Sequence, residues 1–451
     1  MVIDKPTNIN SLGGHDDKKH KKREKERTIN FFGEFIKIKD HFFRGILKKL
    51  KSVKDPRHQS YIKYETDLIL FTMIMKNACG ITSMGRMSEE FNKEECIENM
   101  ALTLGYDTLE ELPHYDTIND FLCRLQPMEL ERIRDFMIKE LLKKRSIEGY
   151  RLLDRYWCIA VDATRLYSFS ERHCKHCLKA EYRNEETGEI ERTSYYHNVL
   201  EAKLIAGDMV FSIATEFIEN ENENVSKQDC EINAFKRLAP KLKHKYPRLP
   251  ICLLADSLYA CEPVFEICRN NKWRFLFRFK QGSIKSIASE FRIATALQGR
   301  ESANCTWVND IDYNQKPVNL IEAEAETSDK EKKHFVFITD IQITKSNAAK
   351  IICAGRSRWK IENQGFNNQK TKLYYIEHAN SRNYNAMQNH YLITQITDIM
   401  RQLYEKGADK IKDLTKGIKE ISSCLLESFR TRILTAEDIT HIGKTIQVRF
   451  T

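Results

Sequence analysis

The chain has 451 residues, of which 41% are hydrophobic and 30% are charged, and its 17 glycines and 9 prolines are too few for long low-complexity tracts. Its 13 cysteines have no regular spacing and no apolar segment follows Met1, which predicts a reducing, cytoplasmic setting. The longest apolar run, Leu68 to Met75, is shorter than the roughly 20 residues of a membrane span, which excludes a membrane protein.

The net charge is +9, and the positive charge is concentrated in three stretches. Residues 18–27 carry seven Lys or Arg against two Glu, residues 350–382 carry seven against two, and residues 267–289 carry six with no acidic residue. Such clusters favour DNA as the partner, because cationic side chains that neutralise phosphates release counterions. The protein would then be nucleoid-associated. For any single cluster, a solvated basic face is an equally good interpretation.

The first third of the chain predicts helices only. Residues 1–29 lack apolar periodicity and are predicted to form a flexible basic arm. Residues 30–150 show apolar spacing of three to four residues, as in Thr66 to Ala78 and Pro127 to Lys143, and predict an all-helical domain. Its helices could bind DNA or have a purely structural role, and the spacing leaves both open. A further helical segment is expected at the other end of the chain, over residues 406–451.

The middle of the chain changes to strands separated by helices. YWCIAV and LPICLLA are continuous apolar runs, typical of strands buried on both faces of a sheet. Between them, Tyr195 to Phe217 predicts two more strands, followed by a helix. Residues 281–333 are expected to form an irregular, β-rich insertion. Residues 151–405 are therefore predicted to be one α/β domain, with a mixed sheet flanked by helices.

Two of the buried runs are followed directly by aspartate, Asp162 after WCIAV and Asp256 after ICLLA. Functional side chains gather at the carboxyl ends of parallel strands, so both carboxylates are candidates for one crevice. A single aspartate after a strand is usually a turn or cap residue. Two of them, after the two most apolar strands, are less easily explained in that way.

The third candidate carboxylate is Glu362, in the stretch GRSRWKIENQGFNNQK. Trp359, Glu362 and Phe366 lie three and four residues apart, which predicts that the carboxylate is on the inward, apolar side of a helix. Such a group is costly to bury unless it is paired or binds a metal, and an ion pair with Arg358 is the alternative. Asp340, after the predicted strand HFVFIT, is the rival third ligand.

Three carboxylates suit phosphoryl transfer with two divalent ions about 4 Å apart. One ion activates the attacking water or 3′-hydroxyl, and the other stabilises the leaving oxygen. Ligation by oxygen alone favours Mg²⁺ or Mn²⁺ over zinc. No glycine-rich phosphate-binding loop is evident, so the sequence does not indicate ATP dependence.

The three candidate carboxylates lie in the motifs AVDAT (Asp162), LLADSLYA (Asp256) and RSRWKIENQGFNNQK (Glu362). In this order, the motifs resemble those of the Asp-Asp-Glu transposases of insertion sequences, in the group with a Tyr-Arg-Glu-Lys signature. The resemblance covers about residues 155–405. It implies a ribonuclease-H-like fold with a β-rich insertion, a helical N-terminal DNA-binding domain, and the three carboxylates as catalytic ligands of two Mg²⁺ or Mn²⁺ ions. It also implies DNA-end cleavage, strand transfer, and action as a homodimer on terminal inverted repeats and target DNA.

The same stretch supplies the predicted DNA contacts. The signature implies that Arg358 and a nearby lysine grip the DNA end, and the DNA-binding candidates are Arg356, Arg358, Lys360, Lys370 and Lys372. The chain departs from the signature at two positions, where Gly355 replaces the tyrosine and Gln369 replaces the lysine. The role of the lysine is assigned to Lys370, about 80° further round an ideal helix from Glu362.

The segment ERHCKHCLKAEY contains His173, Cys174, His176 and Cys177, with one Cys-x-x-Cys spacing. This is half of a zinc site, which would need a second ligand pair from elsewhere, for example His197. Free thiols in a hairpin are the favoured interpretation.

Two other functions fit the sequence. One is a nuclease of the same fold that cuts DNA without strand transfer, and the other is a transposon-derived DNA-binding protein that no longer cleaves. The complete set of three carboxylates argues against the second.

Overall fold

The computed structural model describes residues 28–280, 282, 284–298, 300–302, 305–326 and 332–450. The basic arm predicted for residues 1–29 lies almost entirely outside the described residues. Within these ranges, helices surround one mixed sheet of ten strands, so the prediction of an α/β protein is confirmed. None of the described helices is long and apolar enough to cross a membrane.

Helices alone form the first part of the described chain. They are α1 (Phe31–Phe43), α2 (Ile46–Lys51), α3 (Thr66–Ala78), α4 (Met84–Phe91), α5 (Glu94–Leu104), α6 (Tyr115–Arg124) and α7 (Pro127–Lys143). The two segments predicted from apolar spacing, α3 and α7, have the predicted bounds. α7 begins with Pro127, at a position where the missing N–H removes no intrahelical hydrogen bond.

The sheet follows, and its centre is parallel. Its strands are β1 (Trp157–Phe169), β2 (Leu178–Arg183), β3 (Ile190–Ala206), β4 (Met209–Ile218), β5 (Ile251–Ala255), β6 (Arg274–Arg278), β7 (Arg300–Ser302), β8 (Cys305–Tyr313), β9 (Lys316–Glu326) and β10 (Lys332–Thr339). The order is β2-β3-β1-β5-β6-β10-β9-β8-β7, and β4 also pairs with β3. β1, β5 and β6 are parallel to one another, and the other pairs are antiparallel.

The later helices connect and cover the strands. They are α8 (Glu231–Lys245), α9 (Glu262–Asn270), α10 (Lys285–Gln298), α11 (Ala348–Ser357), α12 (Tyr384–Gly407), α13 (Ile418–Thr431) and α14 (Ala436–Gly443). α8 leads into β5 and α9 into β6, as parallel neighbours require. After α11 the chain continues through the π-helical segments Ile361–Phe366 and Asn368–Lys372.

The described residues of the insertion predicted at residues 281–333 form regular elements and are β-rich, so the prediction of an irregular stretch is wrong for them. It contains α10, which was not predicted, and the antiparallel strands β7, β8 and β9. β9 pairs with β10 from Asn319 to Glu326, so the insertion extends the main sheet. The edge that β10 would otherwise leave open is thereby covered.

An apolar core joins both ends of the described part of the chain to the sheet. It includes residues from Ile29 to Phe450 and takes in the early helices, one face of the sheet and the last helices. α12 is buried along most of its length and packs against α3, α6, α7 and β4. The rings of Phe32 in α1 and Phe429 in α13 are 4.9 Å apart. The domain boundaries near residues 150 and 405 stay predictions.

Candidate active site

Asp162 and Asp256 lie side by side on neighbouring parallel strands. β1 pairs with β5 as far as Ala160 and Leu254, and each aspartate is two residues beyond its member of that pair. Side chains alternate along a strand, so both carboxylates are on the face where Ala160 and Leu254 pack against α11. The sequence predicted that the first strand ends just before Asp162, and this is wrong. β1 continues to Phe169, paired with β3.

Arg358 links Glu362 to Asp162. Its Nη1 donates to Asp162 Oδ2 at 3.2 Å, and its Nη2 lies 3.9 Å from Glu362 Oε2. The ion pair that was the alternative interpretation of Glu362 is therefore present. Because the same guanidinium also contacts Asp162, the pair draws the two carboxylates towards one point.

Glu362 is not on a buried helix face. It falls in the π-helical segment Ile361–Phe366, where hydrogen bonds span five residues instead of four and the side chains are shifted round the axis. Phe366 is buried, but the side chain of Glu362 is 55% exposed and Trp359 is 47% exposed. The prediction that Trp359 and Glu362 face inward is wrong. The carboxylate is instead open to a substrate.

Asp340, the rival third ligand, lies at the amino-terminal end of the parallel strands, whereas Asp162 and Asp256 lie towards their carboxyl ends. It follows β10, which is antiparallel to β6, and so it is beside the first residues of β6. Its Oδ1 accepts from Phe275 N at 3.0 Å, and its Oδ2 accepts from Arg274 Nη1 at 3.0 Å. Asp256 follows the last residue of β5, which pairs with Phe277 near the far end of β6. Asp340 is therefore a structural residue.

The site is rich in negative charge. Burial raises the pKa of Asp162 to about 7, Arg358 opposes this rise, and Glu231, Glu362 and Asp256 add to it. The negative charges of three other carboxylates therefore act on Asp162. A divalent cation would relieve this repulsion, and the oxygen-only donor set of Asp162, Asp256 and Glu362 fits Mg²⁺ or Mn²⁺.

Glu231 is a member of the site that the sequence did not reveal. It is the first residue of α8, and its Oε1 accepts a hydrogen bond of 2.7 Å from the hydroxyl of Tyr259. Burial raises the pKa of Glu231, the bond from Tyr259 opposes the rise, and the charge of Asp256 adds to it. In the sequence it was only a glutamate in a first helical turn, where the helix dipole makes acids common.

A cleft of about 520 Å³ opens beside Asp256. Most of its polar lining is basic and includes Arg278, Lys280, Lys332, Arg356 and Arg358. The predicted DNA-binding residues Arg356 and Arg358 are among them. Arg278 and Lys280 belong to the basic stretch 267–289, but they were not predicted as site residues.

The three predicted DNA-binding lysines lie elsewhere. Lys360 donates to Gly207 O at 2.7 Å and to Asp208 Oδ1 at 3.1 Å. Lys370 pairs with Glu377 at 2.7 Å. Lys372 lines a different cleft, next to Asp208. The structure does not bring these lysines to the carboxylates.

Packing explains both departures from the signature. A Cβ at Gly355 would lie 2.6 Å from Cε1 of Phe337 in β10, so α11 approaches the sheet too closely for a side chain there. Gln369 is fully buried and donates to Gln395 Oε1 at 3.1 Å and to Asp398 Oδ2 at 2.9 Å. It fastens the second π-helical segment to α12, and a lysine in its place would bury a charge.

Two sequence families match the chain. Residues 223–397 match the family described as the transposase DDE domain, and residues 47–137 match the family described as DDE_Tnp_1-associated. No match is found among curated proteins. Among solved structures, the chain is similar to the cryo-EM structure of a piggyBac transposase synaptic complex with hairpin DNA, with 11% identity, a TM-score of 0.40, and coverage of 93% of this chain and 83% of that chain. The matched segment 223–397 is a transposase DDE domain that contains Asp256 and Glu362, and the predicted resemblance to the DDE transposases is confirmed.

Proposed function

We propose that this protein is a DNA transposase that binds the ends of its element, cuts DNA phosphodiesters with the help of two divalent ions, and joins the freed 3′-hydroxyl ends to target DNA. The observation that carries the proposal is the convergence of Asp162, Asp256 and Glu362 with Arg358 at one edge of the sheet, in a chain of this family.

The strand order supports a ribonuclease-H-like catalytic domain. β4, β3, β1, β5 and β6 are adjacent in this order, β3 is antiparallel to its neighbours, and β1, β5 and β6 are parallel. This arrangement puts Asp162 and Asp256 at the same level of adjacent strands. α11 is followed by the π-helical segment Ile361–Phe366, in which Glu362 lies near Asp162.

Each site residue has a proposed role. Asp162, Asp256 and Glu362 would hold two Mg²⁺ or Mn²⁺ ions, which would supply activation of the attacking hydroxyl and stabilisation of the leaving oxygen. Glu231, oriented by Tyr259, adds negative charge that strengthens cation binding. Arg358 partly neutralises the acids by its contacts with Asp162 and Glu362. Its forked donors also suit the phosphate of a DNA end.

The basic cleft beside Asp256 supports double-stranded DNA as the substrate. Its arginines and lysines concentrate positive charge next to the proposed reaction centre, where a phosphate backbone must lie. The proposed partners are the terminal inverted repeats of the element and a target duplex. We propose that a homodimer holds two ends together and that residues 30–150 contribute to DNA binding.

The test is an end-cleavage and strand-transfer assay with Mg²⁺, using the full chain and DNA that carries the ends flanking its own gene. The Asp256→Asn variant should lose cleavage by more than about 100-fold, since loss of even an outer-shell partner of a metal typically costs 10–100-fold. Its DNA affinity should stay within about threefold, because the basic cleft is unchanged. Asp340→Asn is the matched control, since it alters another partly buried aspartate that follows a strand, at the opposite ends of the parallel strands.

The products discriminate between the functions. Joined products support the transposase, cuts without joining support a nuclease, and binding alone supports a DNA-binding protein without catalysis. Undiminished cleavage by Asp256→Asn refutes the assignment of the site.

A further inference from the structure

A second group of potential metal ligands lies further along β1. The side chains of His173, Cys174, Cys177 and His197, called the Cys-His cluster below, place one ligand atom each within 4.8 Å of all the others. The first three belong to the loop between β1 and β2, and His197 belongs to β3. β1 runs seven residues beyond Asp162 before this loop, which is about 23 Å of extended strand. The cluster is therefore separate from the three carboxylates.

The distances within the cluster match tetrahedral coordination of zinc. Cys174 Sγ lies 3.5 Å from Cys177 Sγ and 3.5 Å from His197 Nε2, and Cys177 Sγ lies 3.6 Å from His197 Nε2. Bonds of about 2.3 Å from zinc to sulfur and about 2.0–2.1 Å to nitrogen require about 3.8 Å between two sulfurs and about 3.6 Å between sulfur and nitrogen. The ring of His173 borders the same space, with Nδ1 3.4 Å from Cys177 Sγ and Nε2 3.4 Å from His197 Nε2, and one of these two nitrogens would complete the tetrahedron.

The surrounding contacts hold the loop in this arrangement. Asn220 Nδ2 donates to Cys177 O at 3.0 Å. The ring of His176 is turned away from the cluster, with its Nδ1 3.1 Å from Asn220 O and its face stacked on Tyr384 at 4.5 Å. Tyr384 also packs against His197, with ring centres 4.8 Å apart. The ligands are therefore oriented by Asn220, which follows β4, and by Tyr384 of α12, as in a preformed site.

We propose that the Cys-His cluster binds one zinc ion in a structural site. Two cysteines and two histidines are a ligand set that favours zinc over Mg²⁺ or Mn²⁺. All four coordination positions are filled by side chains, so the ion has no position for water or substrate. This replaces the free-thiol interpretation of the sequence. The inference is independent of the transposase proposal, because it concerns other residues and another metal.

The position of the cluster indicates what the ion stabilises. The pairing of β1 with β3 is irregular between Arg165 and Ser168, just before the loop. Beyond it, β2 and the first residues of β3 are largely exposed, so apolar burial contributes little to holding them. An ion that joins the loop to β3 supplies a link at this weak point and fixes the far end of the strand that carries Asp162.

The test is the zinc content of the purified, reduced full chain, measured by plasma mass spectrometry. We expect one zinc ion per chain, and loss of that zinc in the variant Cys174→Ser/Cys177→Ser. The matched control is Cys230→Ser/Cys353→Ser, which removes two exposed cysteines outside the cluster and should keep the zinc. Cobalt(II) in place of zinc should give the visible bands of tetrahedral coordination and a thiolate charge-transfer band.

Several results would overturn the proposal. They are a purified chain with no zinc and no tetrahedral cobalt spectrum, zinc retained at full occupancy by Cys174→Ser/Cys177→Ser, and a Cys174–Cys177 disulfide in the protein as purified. If the double variant does not fold, the cobalt spectrum of the unmodified chain decides alone. None of these measurements depends on DNA cleavage, so failure of the zinc site and failure of the transposase proposal are distinguishable.

Discussion

Asp162 is the residue at which the charges of the candidate site conflict. Its pKa is raised to about 7 by burial and by three carboxylates, although Arg358 donates to it. The ionised form that a divalent ion requires is therefore the costly form in the metal-free chain. Metal binding below about pH 7 must then release a proton from this residue.

We expect the Asp162→Asn variant to be more stable than the unmodified chain at about pH 8 without metal, by up to about 4 kcal/mol, the free energy of a pKa difference of about 3 units. The folded-state pKa of about 7 lies above the ordinary value of 3.8, so the folded form binds the proton more tightly and the unmodified chain loses stability as the pH rises between these values. The difference between the proteins should be near zero at about pH 4 and reach its full size above about pH 7. Urea unfolding in EDTA across this range measures it.

Added Mg²⁺ is the control for this prediction. At about pH 8 it should reverse the order of stability, because only the unmodified chain has the complete set of ligands. A stability difference that is the same at all pH values would contradict the raised pKa of Asp162.

The sequence predicted some site residues and missed others for identifiable reasons. Asp162 and Asp256 follow continuous apolar runs, a local signal that needs no knowledge of the partner strand. Glu362 was identified from its motif, but its exposure depends on a π-helical segment that apolar spacing does not reveal. Glu231 and the cleft residues Arg278, Lys280 and Lys332 lie outside the motifs, and only the sheet topology brings them to the site.

At the scale of elements, the close approach of α11 to β10 positions Glu362. Gly355 permits this approach, because a Cβ there would lie 2.6 to 2.8 Å from the ring of Phe337. Alanine is ordinarily the better helix residue by about 0.5–1 kcal/mol, but overpacking costs about 1–3 kcal/mol. We therefore expect Gly355→Ala to lower the free energy of unfolding by about 1–2 kcal/mol, measured by chemical denaturation.

A double-mutant cycle tests the cause of this loss. In the background Phe337→Ala the ring is absent, so Gly355→Ala should become stabilising by about 0.5–1 kcal/mol. The same loss in both backgrounds would show that contact with Phe337 is not the reason for glycine at this position.

Elements were predictable where their apolar pattern is strong. α3 and α7 have the predicted bounds because each has a strong apolar pattern: α7 buries one face over 17 residues, and all 13 residues of α3 are buried. α10 was missed because its buried face is narrow, with Ile287, Ala288 and Phe291 inside while Ile293 and Leu297 are 62% and 77% exposed. The joining of the insertion to the main sheet depends on pairing between β9 and β10, which no local pattern specifies.

On the scale of the whole molecule, a buried cation ties the early helices to the sheet. Arg134 in α7 is 1% exposed, and its Nη1 donates to Ser212 Oγ at 3.1 Å and to Thr215 Oγ1, both in β4. Thr215 in turn donates to Glu201 Oε1 in β3 at 2.5 Å. The helical part and the sheet are therefore joined by polar bonds as well as by a common apolar core.

Arg134→Ala should lower the free energy of unfolding by about 3–5 kcal/mol, because it leaves buried polar partners without their charge. Arg132→Ala is the control on the same helix, and it should change the free energy by less than about 0.5 kcal/mol, since Arg132 is 65% exposed. Circular dichroism follows the helices, and fluorescence follows the four tryptophans, all of which lie outside α1–α7. Both signals should show one unfolding transition with the same loss of free energy of unfolding. Separate unfolding transitions for the two signals would contradict a shared core.

The contact between α1 and α13 also has a consequence for how the protein is made. The backbone N–H of Phe32 donates to Ser428 Oγ at 3.2 Å, across 396 residues of sequence. At about 5–20 residues per second, a ribosome needs roughly 20–80 s to produce the second partner after the first. For that time the phenylalanines of α1 lack their final cover, so we expect the growing polypeptide to aggregate more readily and to fold in higher yield when chaperones are present.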